Sequence, residues 1–367
     1  MLHLHKILDC PVTSWGSCLS LLPKDPSQVC FFDIETTGLS AKISQCYLIG
    51  AAAVEQNTLI LHQWFADDYN SEKEILLSFR SYIEEHPYLI HFNGSSFDLP
   101  YLKHRCRANG IEDFLSPLPN LDLCTTARSM KQVLSLENCR LKTIETKLGF
   151  LRRDSFSGKD CIQLYTTYMQ GKILRQEGCE EHRDLLLLHN EDDLKGTVLS
   201  SLLLSFTANR LDNLHLEQDK DRFLFTGQVS CPYPLPCILT GDYGTLIMKE
   251  HLLQLSLPFA TDTLKHFFPD YKNYYYLPEE DMAIHKSVAS YVDKDHRKKA
   301  TKETCYISQK DCFVPLAKDL VPDGFPLFRT SLKDRRNYLL VRDAKQYFSS
   351  HSQEIISFYL EEALHQK

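Results

Sequence analysis

Between residues 29 and 123 the chain alternates short apolar runs with stretches of helical periodicity. Val29–Glu35 (VCFFDIE) is rich in strand formers and is stopped by Thr36–Thr37–Gly38. Cys46–Val54 and Thr58–Phe65 read as two further strands, separated by the turn Glu55–Gln56–Asn57. From Ser71 the period changes. Ile75, Leu76, Phe79, Tyr82 and Ile83 share one helical face, and His86–Pro87 ends the helix. Tyr88–Phe92 is a fourth predicted strand. Asn93–Gly94 then turns into a helix carrying Leu99, Leu102 and Cys106, and Leu121–Leu123 is a short fifth strand. Beyond it the pattern predicts helices over 141–148, 161–169 and 180–208.

Three strands in succession, then helix, strand, helix and strand, is the order of an RNase H-like core, with later crossovers that imply parallel pairing. The expected fold class is therefore α/β: an RNase H-like mixed five-stranded sheet with flanking helices, followed by a smaller α+β C-terminal domain. The expected boundaries are a lead-in over 1–28, the RNase H-like domain over 29–212, and the C-terminal domain over 213–367. In that last part the sequence predicts proline-rich strands over 231–237, a helix over Glu279–Val292, and a terminal helix from about Gln353. A hairpin is predicted from Thr304–Ser308 and Cys312–Leu316 across Gln309–Lys310–Asp311.

Composition narrows the class further. At 367 residues, 43% hydrophobic and 24% charged, the chain reads as a globular protein with room for two domains. No run reaches the roughly 18 apolar residues of a membrane span, and the N-terminus lacks a secretory pattern, so a cytoplasmic protein is expected. The 13 cysteines are scattered and odd in number, as in a reduced protein. Cys231/Cys237 and Cys305/Cys312 are spaced more widely than the usual structural zinc pair, and zinc there is left open. The net charge of −7 argues weakly against a nucleic-acid partner, but an acidic metal site biases that number.

The chemistry lies in three acidic groups. Asp33 and Glu35 are two apart on a strand and share a face, where they repel one another unless a cation intervenes. Asp98, in Asn93-Gly94-Ser95-Ser96-Phe97-Asp98, sits at a helix start directly after a strand. His189 and Asp193 are four apart on the long late helix and so share a face. Each alone has an ordinary explanation: solvated acids, a helix cap, a surface pair. In order along this fold they place four carboxylates where they can converge on one sheet edge.

These residues resemble the motifs of DEDD-type 3′→5′ exonucleases of the RNase H-like superfamily. FFDIETTGL is similar to the first motif, HFNGSSFDLPYL to the second, and HNEDD to the third in its Y-N-x2-D form with His for Tyr. LDLCTTAR and the Leu141–Gly149 segment, L-K-x2-E-x2-L-G, resemble the YprB-type branch. The likeness covers about Val29 to Arg210. It implies two divalent cations, Mg²⁺ or Mn²⁺, with Asp33 bridging both, Glu35 and Asp193 on the first and Asp98 on the second. His189 orients or deprotonates the attacking water, and its role stays open because it carries the histidine of one branch at the tyrosine spacing of the other. Thr36, Thr37, Gly38, Leu39, Asn93 and Phe97 are the implied substrate contacts. The implied partner is nucleic acid, most simply a single-stranded 3′ end, with DNA and RNA equally allowed and no membrane. The alternatives are a structure-specific endonuclease on the same fold and a catalytically weak nucleic-acid-binding or scaffolding protein.

Overall fold

The computed structural model of the protein describes residues 1–10 and 15–365; residues 11–14, within the expected lead-in, lie outside them. The chain divides into two compact units, Met1–Arg210 with Ser230–Leu235, and Leu211–Val229 with Pro236–Lys367.

The first unit is built on a mixed six-stranded sheet, ordered β1-β4-β3-β2-β5-β6. Its strands are β1 (Leu2–Ile7), β2 (Val29–Thr36), β3 (Cys46–Glu55), β4 (Thr58–Phe65), β5 (Tyr88–His91) and β6 (Asn120–Asp122). β1, β4, β3 and β2 pair antiparallel, while β2–β5 and β5–β6 are parallel. The expected sheet of five strands is thus corrected to six. Leu2–Ile7, read as part of a lead-in, is an edge strand in register with β4 from Leu2 opposite Phe65 to Ile7 opposite Ile60. Its Leu2 and Leu4 alternate with polar residues and pack on the core, so the period-2 signal was present but short.

The helices of this unit are α1 (Trp15–Leu19), α2 (Glu72–Glu85), α3 (Asp98–Ala108), α4 (Leu123–Ser129), α5 (Leu141–Lys147), α6 (Gly158–Ile173) and α7 (Glu180–Ser200). Alternation along β2 divides them between two layers. Cys30, Phe32 and Ile34 pack with Phe79 of α2, Leu102 of α3 and Tyr165 of α6. Val29 and Phe31 pack on the other face with Leu123, Leu194 and Val198. Asp33 and Glu35 continue this second face, toward the part of α7 that carries Asn190 and His189. α7 is buried on nearly every side, polar residues included, which is why its sequence lacks a clean apolar stripe.

The second unit holds three small sheets. One is β7 (Leu211–Gln218), β8 (Arg222–Gly241) and β9 (Gly244–Pro258), with Ser230–Leu235 of β8 belonging to the first unit. A second joins β10 (Ala260–Phe267), β14 (Tyr306–Pro315) and β15 (Tyr338–Leu340). The third joins β12 (Met282–His285), β11 (Tyr274–Leu277) and β13 (Lys298–Lys299). Its helices are α8 (Lys286–Ala289), α9 (Val341–Ser350) and α10 (Ser352–His365), the last in line with the helix predicted from Gln353.

Two local expectations fail here. The predicted helix over 279–292 is instead a hairpin arm and a single helical turn: Asp281, at φ 47°, turns the chain so that Met282 pairs with Leu277. The predicted hairpin over 304–316 is instead one continuous strand, β14, because Gln309, Lys310 and Asp311 pair with Leu264, Thr263 and Asp262 of β10.

One close approach fixes the functional edge of the first unit. Gly50 lies opposite Asp33 in the sheet, and a Cβ there would fall 2.0 Å from Asn190 Oδ1 and 2.7 Å from Leu194 Cδ1. Only glycine lets α7 lie this near β3. Gly50→Ala is expected to destabilise the fold by about 1–3 kcal/mol, as overpacking does. Urea unfolding with an unchanged midpoint would show that α7 is not seated by this contact.

Candidate active site

Asp33 and Glu35 reach the site from β2, Asp98 from the first turn of α3, and His189 and Asp193 from one face of α7. Ligand oxygens of Asp33, Glu35 and Asp193 lie within 4.8 Å of one another, and a Glu35 oxygen, the Cys161 sulfur and a His189 ring nitrogen form a second group within the same distance. Among the described residues these are the groups of three or more such side chains that could hold a metal ion, so neither Cys231/Cys237 nor Cys305/Cys312 belongs to one. Instead the Cys231 sulfur lies 2.7 Å from that of Cys18.

The acids are held in place as well as crowded. Asn190 donates to Asp33 Oδ2 at 2.9 Å, and Gln63 donates to Asn190 Oδ1 at 3.0 Å, which fixes the amide's orientation. Burial raises the Asp33 carboxyl well above the usual carboxylate range, and the charges of Asp193, Asp98 and Glu35 raise it further. Burial likewise pushes Glu35 up to about 8, against the pull of His189. It pushes Asp98 up to about 7, against backbone N–H groups of Asp98 and Ile34. An oxygen-only set that resists ionising together fits a hard divalent cation, whose charge removes the repulsion.

Sequence reasoning missed the shell around these acids. His189 Nδ1 lies 2.8 Å from Asp154 Oδ1, and its Nε2 lies 3.3 Å from Asp193 Oδ2 and 3.6 Å from Glu35 Oε1. Burial opposes a charged imidazole, but Asp193, Glu35 and Asp154 outweigh it and raise the His189 pKa. The Arg152 guanidinium is not free for a substrate strand. It binds Glu145 through two nitrogens at 2.6 and 2.7 Å, Asp154 at 3.2 Å, and also Asp193. Glu145 sits in the L-K-x2-E segment, and Gly196 makes room for it: a Cβ there would fall 1.8 Å from Glu145 Oε1. Glu191 is satisfied by Lys6 of β1, Lys195 and Arg153, at 2.6, 2.8 and 2.6 Å. Asp192 accepts from the backbone N–H groups of Arg153 and Asp154 at 2.7 and 3.1 Å, tying that segment to α7.

The expected substrate contacts separate into two kinds. Thr36, Leu39 and Phe97 line a cleft of about 790 Å³ together with Asp33, Glu35, His189 and Asp193. Arg140, Lys142 and Lys159 also line it. Leu39 is 84% exposed at the cleft. Thr37, Gly38 and Asn93 shape loops. Thr37 Oγ1 accepts from the Gln45 N–H at 2.9 Å, and the Gly38 carbonyl accepts from Thr36 Oγ1 at 3.0 Å. Asn93 holds φ at 64° while Asp122 accepts its N–H at 2.7 Å. A separate cavity of about 510 Å³ in the second unit, bordered by Phe267, Phe325 and Arg329, includes neither of the metal-type groups.

Residues 30–199 match the family model RNase_H_2 of the RNase H superfamily. With the sheet order above, the first unit carries an RNase H-like superfamily domain. A DNA polymerase of Ostreid herpesvirus 1 (isolate France) is 28% identical over 120 residues, which are 31% of this chain and 6% of the polymerase. The family B DNA polymerase of the archaeon Pyrobaculum calidifontis aligns over 67% of this chain and 35% of its own, with a TM-score of 0.37 and 13% identity. E. coli exonuclease I in complex with a dA16 oligonucleotide aligns over 40% of this chain and 45% of its own, with a TM-score of 0.26 and 14% identity. The matches thus span less than half the length of each of these proteins.

The raised carboxyls set a pH dependence. A group whose folded pKa is raised holds more protons folded than unfolded, so stability falls as pH rises between the two values. For Glu35 and Asp98 that window opens at an ordinary carboxyl, about 4, and closes near about 8 and about 7, and Asp33, raised well above the usual carboxylate range, acts in the same direction. Raised His189 acts in the same direction. Asp154 and Glu191, whose carboxyls are held below the usual range, matter on the acid side of that window. In metal-free buffer Tm is expected to fall between about pH 5 and 8.5, with millimolar Mn²⁺ restoring more at the upper end. A Tm that rises across this range and ignores Mn²⁺ would contradict the site.

Proposed function

We propose that the protein is a metal-dependent nuclease, and specifically a 3′→5′ exonuclease of the DEDD type. The observation that carries this reading is the convergence of Asp33, Glu35 and Asp193 within 4.8 Å at the head of a cleft that also holds His189. Two divalent cations, Mg²⁺ or Mn²⁺, would supply an acidified water and a counter-charge for the leaving oxygen. Asp33 would be shared between them, Glu35 and Asp193 would hold the one beside His189, and Asp98 would hold the other. Assignment to the YprB-type branch rests on the Leu141–Gly149 segment, whose Glu145 grips Arg152 and through it Asp193.

In this reading His189 takes the proton of the attacking water at Nε2. The water oxygen bonds to phosphorus, the bond to the leaving 3′ oxygen breaks, and that oxygen takes a proton from solvent. Thr36, Leu39 and Phe97 border the terminal nucleotide. Arg140, Lys142 and Lys159 offset the phosphate charge along the cleft. A cleft of about 790 Å³ is in the size range that encloses a small ligand, which suits a strand end better than a duplex.

The test is digestion of 5′-labelled DNA and RNA oligonucleotides with Mg²⁺ or Mn²⁺. A descending ladder that a blocked 3′ end abolishes is expected; internal cuts on the blocked substrate would mean an endonuclease. Asp33→Asn should lower turnover by about a thousandfold or more, since several kcal/mol of charge stabilisation are lost. The same variant should raise Tm in metal-free buffer by about 2–4 °C, because it relieves repulsion. Near-normal turnover by Asp33→Asn would overturn the metal assignment. For His189, a base predicts that His189→Ala removes the acidic limb of the rate profile, and that His189→Tyr is inactive. A His189→Tyr variant that works with an unchanged profile would assign it to positioning the water.

A further inference from the structure

His189 is faced by four groups: Asp154 on the segment before α6, Cys161 on α6, Glu35 on β2 and Asp193 on its own helix. Asp154 lies outside all three acidic motifs, yet it makes the shortest of the carboxylate contacts. We propose that Asp154 is a positioning residue that keeps the His189 proton on Nδ1 and thereby turns a bare Nε2 toward the acids and the cleft.

The geometry supports this from both ends of the ring. The Nδ1–Oδ1 separation of 2.8 Å is that of a charge-assisted hydrogen bond, whereas Nε2 is 3.3 Å from Asp193 and 3.6 Å from Glu35, marginal and too long respectively. A neutral imidazole carries one proton and places it where the better acceptor is. The side chain of Asp154 is fully enclosed and cannot turn away. Its Oδ1 also accepts from the Phe156 N–H at 2.8 Å, and its Oδ2 accepts from Arg152 at 3.2 Å. Its own N–H is tied to Asp192 at 3.1 Å. Arg152 is in turn gripped by Glu145, so the orientation of His189 traces back through Asp154 and Arg152 to the L-K-x2-E helix.

Without Asp154 the remaining carboxylates, Glu35 and Asp193, both face Nε2, and the proton would move there. A histidine protonated on Nε2 has its lone pair on the wrong side to accept a proton from water in the cleft. Asp154 itself takes no proton; it orients the ring and stabilises the imidazolium that forms. This role rests on the reading of His189 as the base, but the tautomer can be observed without any turnover.

The test is ¹⁵N NMR of the histidine rings in the full chain at a pH of about 9.5, where an imidazole is neutral. The His189 signals are identified by their loss in His189→Gln. Wild type is expected to show protonated Nδ1 and bare Nε2, and Asp154→Ala the reverse. Protonated Nε2 in wild type overturns the proposal, as does a tautomer unchanged in Asp154→Ala. If that variant does not fold, the wild-type spectrum decides alone. In turnover, Asp154→Ala should lower kcat by about 10–100-fold with little change in KM, in the range typical of such orienting partners. The double variant with His189→Ala should be no slower than His189→Ala alone. Additive losses would mean that Asp154 acts apart from His189. A wild type with the expected tautomer and no turnover on any oligonucleotide would remove the nuclease reading and leave the positioning role standing.

Discussion

Mutual repulsion among buried carboxylates is the constraint around which the first unit is arranged. Asp33, Glu35 and Asp98 are each less acidic than an ordinary side chain because burial and neighbouring charge oppose their ionisation. Folding brings them together despite this, with hydrogen bonds and cations placed against them. Asn190 caps Asp33, Arg152 holds Asp193, and His189 stands between Glu35 and Asp193. Such a cluster destabilises the chain by itself unless a cation offsets its charge.

Close helix–sheet packing makes the convergence possible. α7 supplies the last acid, the histidine and the amide on Asp33, so its distance from β2 and β3 sets the geometry. Gly50 on β3 removes the side chain that would hold it off at Asn190, and Gly196 on α7 makes the same room for Glu145 of α5. The outer shell then serves the same end. Lys6 on β1 meets Glu191, and Asp192 fastens the segment that carries Arg152 and Asp154. An edge strand, a loop and a helix far apart in sequence are thereby coupled to one site.

Strands β2 to β5 and the longer helices of the first unit were legible because their periods are local properties, whereas β1 was not. The run Val29–Glu35 and the helical face through Ile75, Phe79 and Ile83 match β2 and α2 closely. The three acidic groups were legible because their spacing is local too. What escaped was long-range. Asp154 and His189 are 35 residues apart and Arg152 and Asp193 are 41, and nothing in a linear pattern pairs them. Arg152 is spent on three carboxylates, and Arg153 on Glu191 and Asp192. A glycine facing an aspartate across a strand pair, as Gly50 faces Asp33, was the one trace of close packing a reader could have weighed. In the second unit a turn at Asp281 broke the predicted helix, and at Gln309–Asp311 pairing with β10 outweighed the local turn preference.

The central claim is that this acid cluster is a divalent cation site. Anomalous diffraction from crystals of the full chain soaked in Mn²⁺ tests it most directly. The account predicts manganese peaks bounded by Asp33, Glu35 and Asp193, with Asp98 beside a second, and their loss in Asp33→Asn. Manganese absent from this cluster, with Arg152 and His189 still holding Asp193, would contradict it.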